Sequence, residues 1–140
     1  MEIIRLKGTA KRLYTLVGPL VMDADVLKQN NNYPFKTSEG HTWYVAIDEK
    51  KKVKGFMPFV VKGGKKVYID NYFLQDDDTS TADALIDYIT DDWFPEYTVT
   101  ILAHKRHAEL FRRNHFVTTK EWKNYETMEY EPSKEEGVQS

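Results

Sequence analysis

Apolar positions along the chain switch between two periods, and the switches mark out its elements. Alternation over Glu2–Lys7 predicts a first strand that Gly8 closes. From Thr9 the spacing turns helical. Leu13, Leu16, Val17, Leu20, Val21 and Ala24 share one face, with Thr9 as candidate N-cap. Gly18-Pro19 interrupts this stripe, so a kink or two short helices are expected. Gln29–Gly40 is polar, with Asn, Pro, Ser and Gly, and reads as a long loop.

Three strands follow. Thr42–Ile47 is rich in aromatic and β-branched residues, Asp48–Lys52 is a charged turn, and Val53–Val61 comes next. Pro58 lies inside that strand. Proline cannot donate a ladder hydrogen bond, so it marks an edge or a bulge. Lys62-Gly63-Gly64-Lys65 is a hairpin turn leading into Val67–Leu74. The loop Gln75–Thr81 then leads to a helix starting near Ala82, whose stripe is Ala82, Leu85, Ile86 and Ile89. Any of Asp78, Thr79 or Ser80 suits the cap. Pro95 closes that helix. Tyr97–Leu102 alternates as a strand, His104–His115 forms a short helix, and the segments from Phe116 and from Tyr125 are the last two strands.

This order predicts an α/β (α+β layered) domain over residues 1–130 with a polar tail, Glu131–Ser140. A strand–helix–strand crossover makes Val67–Leu74 and Tyr97–Leu102 parallel neighbours.

Bulk properties narrow the function. The 140 residues carry a formal net charge of −2, so no global basic field invites nucleic acid. There is no cysteine, which removes thiol nucleophiles, disulfides and Cys-ligated zinc. No apolar run approaches the ~20 residues of a membrane span, and Glu2, Arg5 and Lys7 break up any signal-peptide core. The expectation is a cytoplasmic protein, monomer or homodimer, with no metal.

The segment His104–Phe116 carries a spacing that resembles the GCN5-related N-acetyltransferase (GNAT) superfamily. That family often places an Asn after its fifth strand, then an Ala, a Tyr and a Gly-Phe pair. Here those places hold His104, His107, Phe111, His115 and Phe116. The stretch Trp43–Met57, with Gly55 after the turn, is similar to the family's second and third strands. The resemblance runs from Ile3 to Tyr130 in element order. It implies a mixed central sheet of about six or seven strands flanked by about four helices. It also implies acetyl-CoA or another acyl-CoA lying between two splayed strands, and acyl transfer to a small-molecule or peptide amine. The diphosphate would sit at a helix N-terminus, whose free amides suit anions.

Carried onto this chain, the resemblance assigns the cofactor to Phe73, Leu74, Gln75, Thr79, Ser80, Thr81 and Ala82. Arg112 and Arg113 would grip its 3′-phosphate. The family's usual loop is basic and Gly-rich, whereas this loop has no Gly and carries Asp76, Asp77 and Asp78. Each carboxylate near a diphosphate costs ~1 kcal/mol even when solvated. The alternative is a capped, solvated loop, and with it a GNAT-fold module without catalysis. A nucleic-acid-modifying relative is a further alternative, which the net acidity disfavours.

Three residues suit the chemistry. His104 falls at the carboxyl end of a parallel strand, where ligands gather in open sheets. The other reading of His104 is a surface residue opening a helix. Asp70 is a candidate base, and strand alternation would put it on one face with Tyr72. Tyr72 is a candidate acid, because Phe111 occupies the place of the family's usual acidic Tyr and cannot donate a proton.

Overall fold

The computed structural model describes residues 1–132. Among them the strands form one eight-stranded sheet in the order β1-β2-β3-β4-β6-β8-β7, with β5 also paired to β3. The strands are β1 (Glu2–Lys7), β2 (His41–Ile47), β3 (Val53–Lys62), β4 (Lys66–Ile69), β5 (Phe73–Leu74), β6 (Thr98–His104), β7 (Phe116–Glu121) and β8 (Tyr125–Tyr130). The helices are α1 (Lys11–Val21), α2 (Ala24–Gln29), α3 (Thr79–Trp93) and α4 (Ala108–Arg113). The layered α+β architecture is as expected. No described helix is long and apolar enough to cross a membrane. Of the polar tail, all from Ser133 onward lies outside the described residues, while Glu131 is held by an N–H···O bond of 2.8 Å to His115.

Strand alternation divides the core into two layers. Tyr44, Ala46, Met57 and Phe59 pack with Leu85, Ile86 and Ile89 of α3. Their neighbours Trp43, Val45, Ile47 and Phe56 pack with Leu13 and Val17 of α1 and Val26 of α2.

Several local expectations change. Ala10, not Thr9, precedes α1, and it makes no side-chain cap. Pro19 lies inside α1 without ending it. The break falls at Met22-Asp23, where the Asp23 carboxylate accepts the Asp25 and Val26 N–H groups and caps α2. That cap satisfies donors which Gly18-Pro19 has no means to satisfy. α3 begins at Thr79, ahead of Ala82, because Asp78 caps it, and a 3-10 turn over Gln75–Asp77 precedes it.

The main correction concerns Val67–Leu74, which is not one strand. β4 pairs in parallel with β6 over Lys66–Ile69 and Thr98–Ile101. Asp70–Tyr72 then leave the ladder, and β5 crosses to pair with Gly55 and Phe56 of β3. Pro58 sits between these two pairings, since β3 meets β5 at Gly55–Phe56 and β4 at Val60–Lys62. With the ladder broken, alternation fails: Asp70 is exposed while Tyr72 is buried. The seven-residue β6 runs two residues further than Tyr97–Leu102 suggested, bringing His104 into the sheet beside Tyr125.

Gly55 makes the crossing possible. A Cβ there would stand 2.7 Å from the Phe73 carbonyl oxygen and 2.9 Å from Thr81 Cγ2. Gly55→Ala is therefore expected to destabilise the chain by about 1–3 kcal/mol, because backbone blocks the added methyl. Urea unfolding checks this, and an unchanged midpoint would contradict it.

Candidate active site

Where β4 and β6 part, three consecutive residues face different surroundings. Asp70 and Asn71 border a cleft of about 570 Å³ that is also lined by Tyr33, Tyr68, Trp122 and Tyr125. Asn71 Nδ2 donates to Asp70 Oδ1 at 2.9 Å, and Asn71 Oδ1 is buried with no hydrogen bond. Tyr72 turns inward and borders a separate cavity of about 10 Å³, the size of one water, with His104, Arg106 and His107. Asn30 lines both spaces.

Tyr72 spans the opening. Its Oη accepts the His104 backbone N–H at 3.0 Å and lies 2.7 Å from His107 Nδ1. An amide only donates, so the phenolic proton points to Nδ1. His107 then carries its own proton on Nε2, which donates to Asp77 Oδ1 at 2.7 Å. Arg106 Nε donates to the same oxygen at 3.3 Å, and Arg106 Nη2 donates to the Gln29 carbonyl at 3.2 Å. The result is a chain of hydrogen bonds from the strand opening to the acidic loop. Its members His107 and Asp77 escaped the sequence reading. Asp77 was one of three adjacent carboxylates, and only the left-handed backbone at Asp76 and Asp77 (φ 55° and 53°) turns it inward.

The environment sets the protonation states. Burial pushes the Tyr72 phenol well above its ordinary value, with the His104 N–H opposing. Burial lowers the His107 imidazole, against the pull of Asp77, so the ring is neutral. Burial also raises the Asp77 carboxyl, but the bonds from His107 and the Arg106 guanidinium outweigh it and hold the group below the usual carboxylate range. The His104 ring is buried between Tyr72 and Tyr125, at centroid distances of 5.3 and 5.0 Å. Burial takes its pKa from 6.5 down to about 4. At neutral pH the His104 ring is therefore uncharged, while its main-chain N–H is already given to Tyr72 Oη.

The remaining cofactor candidates divide into groups. Phe73 and Leu74 are buried in β5, and Gln75 opens the 3-10 turn. Thr79 is the first residue of α3. Asp78 occupies that helix end itself: its carboxylate accepts the Ser80 N–H at 3.3 Å, the Ser80 hydroxyl at 3.0 Å and the Thr81 hydroxyl at 2.8 Å. Thr81 and Ala82 are fully buried. Arg112 is engaged with Glu109 and with the buried Glu126, the latter at 2.8 Å. Arg113 is exposed beside Asn114, whose Nδ2 donates to Asp83 of α3 at 2.9 Å.

Two features bear on acyl-CoA. Past Ile101 and Ile69, the facing edges of β6 and of Asp70–Tyr72 no longer pair with each other, and Asn71 Oδ1 lacks a donor. The unpaired edges offer hydrogen bonds to an amide-bearing arm, but the Tyr72 side chain spans the opening and leaves a cavity of only about 10 Å³ beside it. The diphosphate end suits less well, because the α3 terminus already holds a carboxylate. Among the described residues no cluster of three His, Cys, Asp or Glu is placed to hold a metal.

No family model matches the sequence, and no curated protein matches it. Solved structures do match. Escherichia coli ElaA is 13% identical with a TM-score of 0.71, over 94% of this chain and 100% of that one. Tetrahymena GCN5 is 13% identical with a TM-score of 0.68, over 93% and 95%. The Campylobacter jejuni N-acetyltransferase PseH in complex with acetyl coenzyme A is 13% identical with a TM-score of 0.60, over 93% and 99%.

The buried His104 makes the fold acid-sensitive. Its folded pKa lies below the unfolded value, so the unfolded chain binds more protons between them. Stability is then full above about pH 6.5 and falls as pH drops through about 4, by on the order of 3 kcal/mol. His104→Phe is expected to flatten that acid limb in urea unfolding measured from pH 7 to 4, and an unchanged limb would contradict it.

Proposed function

The chain has the fold of the GNAT acetyltransferases, and on that ground we propose that it transfers an acyl group from acyl-CoA to an amine. The observation that carries this reading is the parting of β4 and β6 after Ile69 and Ile101, beside a cleft of about 570 Å³. PseH, which shares the fold, was solved with acetyl coenzyme A. When bound, the thioester would supply the acyl carbon to the neutral amine: the ammonium would first release one proton to solvent, the carbon–nitrogen bond would form, the carbon–sulfur bond would break, and a second proton would pass from nitrogen to sulfur.

Around that chemistry each residue has a role. The edges of Asp70–Tyr72 and Leu102–His104 hold the amide-bearing arm, with Asn71 Oδ1 as acceptor. Asp70 and the rings of Tyr33 and Trp122 hold the acceptor as its ammonium. Lys62 Nζ already lies 4.4 Å from the Tyr68 ring centroid and lines the cleft with Lys36, so the ammonium falls to Asp70 and the other rings. Tyr72 holds the opening in shape with the hydroxyl that Phe111 lacks; the two rings stand edge to face at 5.6 Å. His104 fixes Tyr72 through its main-chain N–H. Phe73, Leu74 and Gln75 position the arm, while Thr79, Ser80, Thr81 and Ala82 form the floor at the α3 end. Arg113, exposed where Arg112 is not free to reach, meets the 3′-phosphate.

The Asp78 cap favours a second reading, a GNAT-fold binding module that takes no acyl-CoA. Calorimetry separates the two. Acetyl-CoA is expected to bind in the micromolar to millimolar range, and no heat at millimolar ligand would leave only the second reading. If it binds, Arg113→Glu is expected to weaken it about tenfold, the worth of one charge-assisted phosphate contact. Unchanged affinity would remove Arg113 from the site.

A further inference from the structure

The cleft of about 570 Å³ carries charges of both signs, set at different places on its wall. Asp70 lines it where the β4 ladder ends, Lys62 from the last position of β3, and Lys36 from the segment between α2 and β2. Among the described residues none of these three has an ion-pair partner. We propose that the cleft takes a small amine that also bears an oxyanion, carboxylate or phosphate, with a flat apolar body holding the two charges apart. That this amine is the acyl acceptor rests on the acyl-transfer reading; the charge pattern that selects it does not.

The register of the strands sets the spacing of the charges. Lys62 pairs with Lys66, and its side chain reaches along β4 to put Nζ 4.4 Å from the Tyr68 ring centroid. Asp70 lies two residues beyond Tyr68, which is about 6–7 Å of strand rise. An oxyanion at Lys62 Nζ and an ammonium at Asp70 are therefore several bonds apart in the ligand. Asn71 Nδ2 donates to Asp70 Oδ1 at 2.9 Å, which orients the carboxylate and leaves Oδ2 for the ammonium.

The same charges select against simpler ligands. A cation with no anion meets Lys36 and Lys62, and each like-charge approach to ~4 Å costs about 1 kcal/mol in water. Lys120 Nζ, 3.9 Å from the Trp122 ring centroid, adds to that positive field. An anion with no ammonium meets Asp70. The rings of Tyr33 and Trp122, 63% and 47% exposed, offer flat faces to the body between the charges. The wall that carries them is tied down before any ligand arrives. Asn31 Nδ2 donates to Tyr125 Oη at 2.8 Å, Asn30 Nδ2 to the Tyr33 carbonyl at 3.0 Å, and Trp122 Nε1 to Thr127 Oγ1 at 3.0 Å.

Calorimetry on the full chain, alone and with coenzyme A, tests this with four probes built on one ring. 4-(Aminomethyl)benzoate is expected to bind at least about tenfold more tightly than benzylamine or benzoate, since it meets both charges. Phenylglycine, whose two charges are adjacent, is expected to bind no better than benzylamine. The phosphonate counterpart of 4-(aminomethyl)benzoate, run beside it, names the oxyanion by which of the two binds tighter. The double variant Lys36→Glu, Lys62→Glu changes exposed side chains only. It is expected to erase the preference for 4-(aminomethyl)benzoate without weakening benzylamine, while Asp70→Asn weakens both amines and spares benzoate. Benzylamine or phenylglycine binding as tightly as 4-(aminomethyl)benzoate, a preference that survives the double variant, or no binding of any probe in either state overturns the proposal. Acetyl-CoA binding with no such preference overturns it and leaves the acyl-transfer reading intact. The preference without acetyl-CoA binding overturns the acyl-transfer reading and leaves the ligand class standing.

Discussion

The hydrogen bond from the His104 N–H to Tyr72 Oη holds apart two strands that would otherwise keep pairing. β4 and β6 are parallel neighbours only as far as Ile69 and Ile101. Beyond that, continued pairing would give each main-chain group a partner, so separation costs several ladder bonds. One of those donors, the His104 N–H, takes a side-chain hydroxyl instead of a backbone carbonyl. Phe73 and Leu74 recover other bonds by pairing with β3, which Gly55 admits by having no side chain. The opening is thus stabilised on both sides.

Aromatic packing fixes the hydroxyl in place. Tyr72 is 2% exposed and contacts Phe111, His104 and His107 through ring edges and faces. Phe111 in turn meets Phe116, which begins β7 after the left-handed His115. A phenol so enclosed is held in one orientation, and its proton has a defined acceptor. The same enclosure keeps the histidine rings neutral, so acid both destabilises the fold and protonates the site.

The acidic loop is less of a repulsive cluster than its composition suggests. Asp77 turns inward to His107 and Arg106, and Asp78 caps α3, leaving Asp76 outward. Two of the three carboxylates are therefore matched by donors within the chain. Glu126 shows the same economy, buried against Arg112 and Thr118. Asp70 borders the large cleft together with Lys36 and Lys62, and Arg113 is exposed on α4.

Periodicity along the chain was enough to place the meander of β2, β3 and β4, the stripe of α3, the parallel crossover and the turn at Gly63-Gly64, because each depends on neighbours a few residues apart. It placed His104 at a strand end, where β6 does finish, whereas Asp70 and Tyr72 were expected inside a continuous strand and lie instead where the ladder breaks. It could not split Val67–Leu74, since the apolar run is the same whether the strand continues or breaks. Nor could it join Tyr72 to His107 or His107 to Asp77, which are 35 and 30 residues apart in sequence. Those contacts arise when β5 crosses to β3 and the left-handed Asp76 and Asp77 swing a carboxylate inward. Long-range packing sets that arrangement, and local side-chain chemistry carries no record of it.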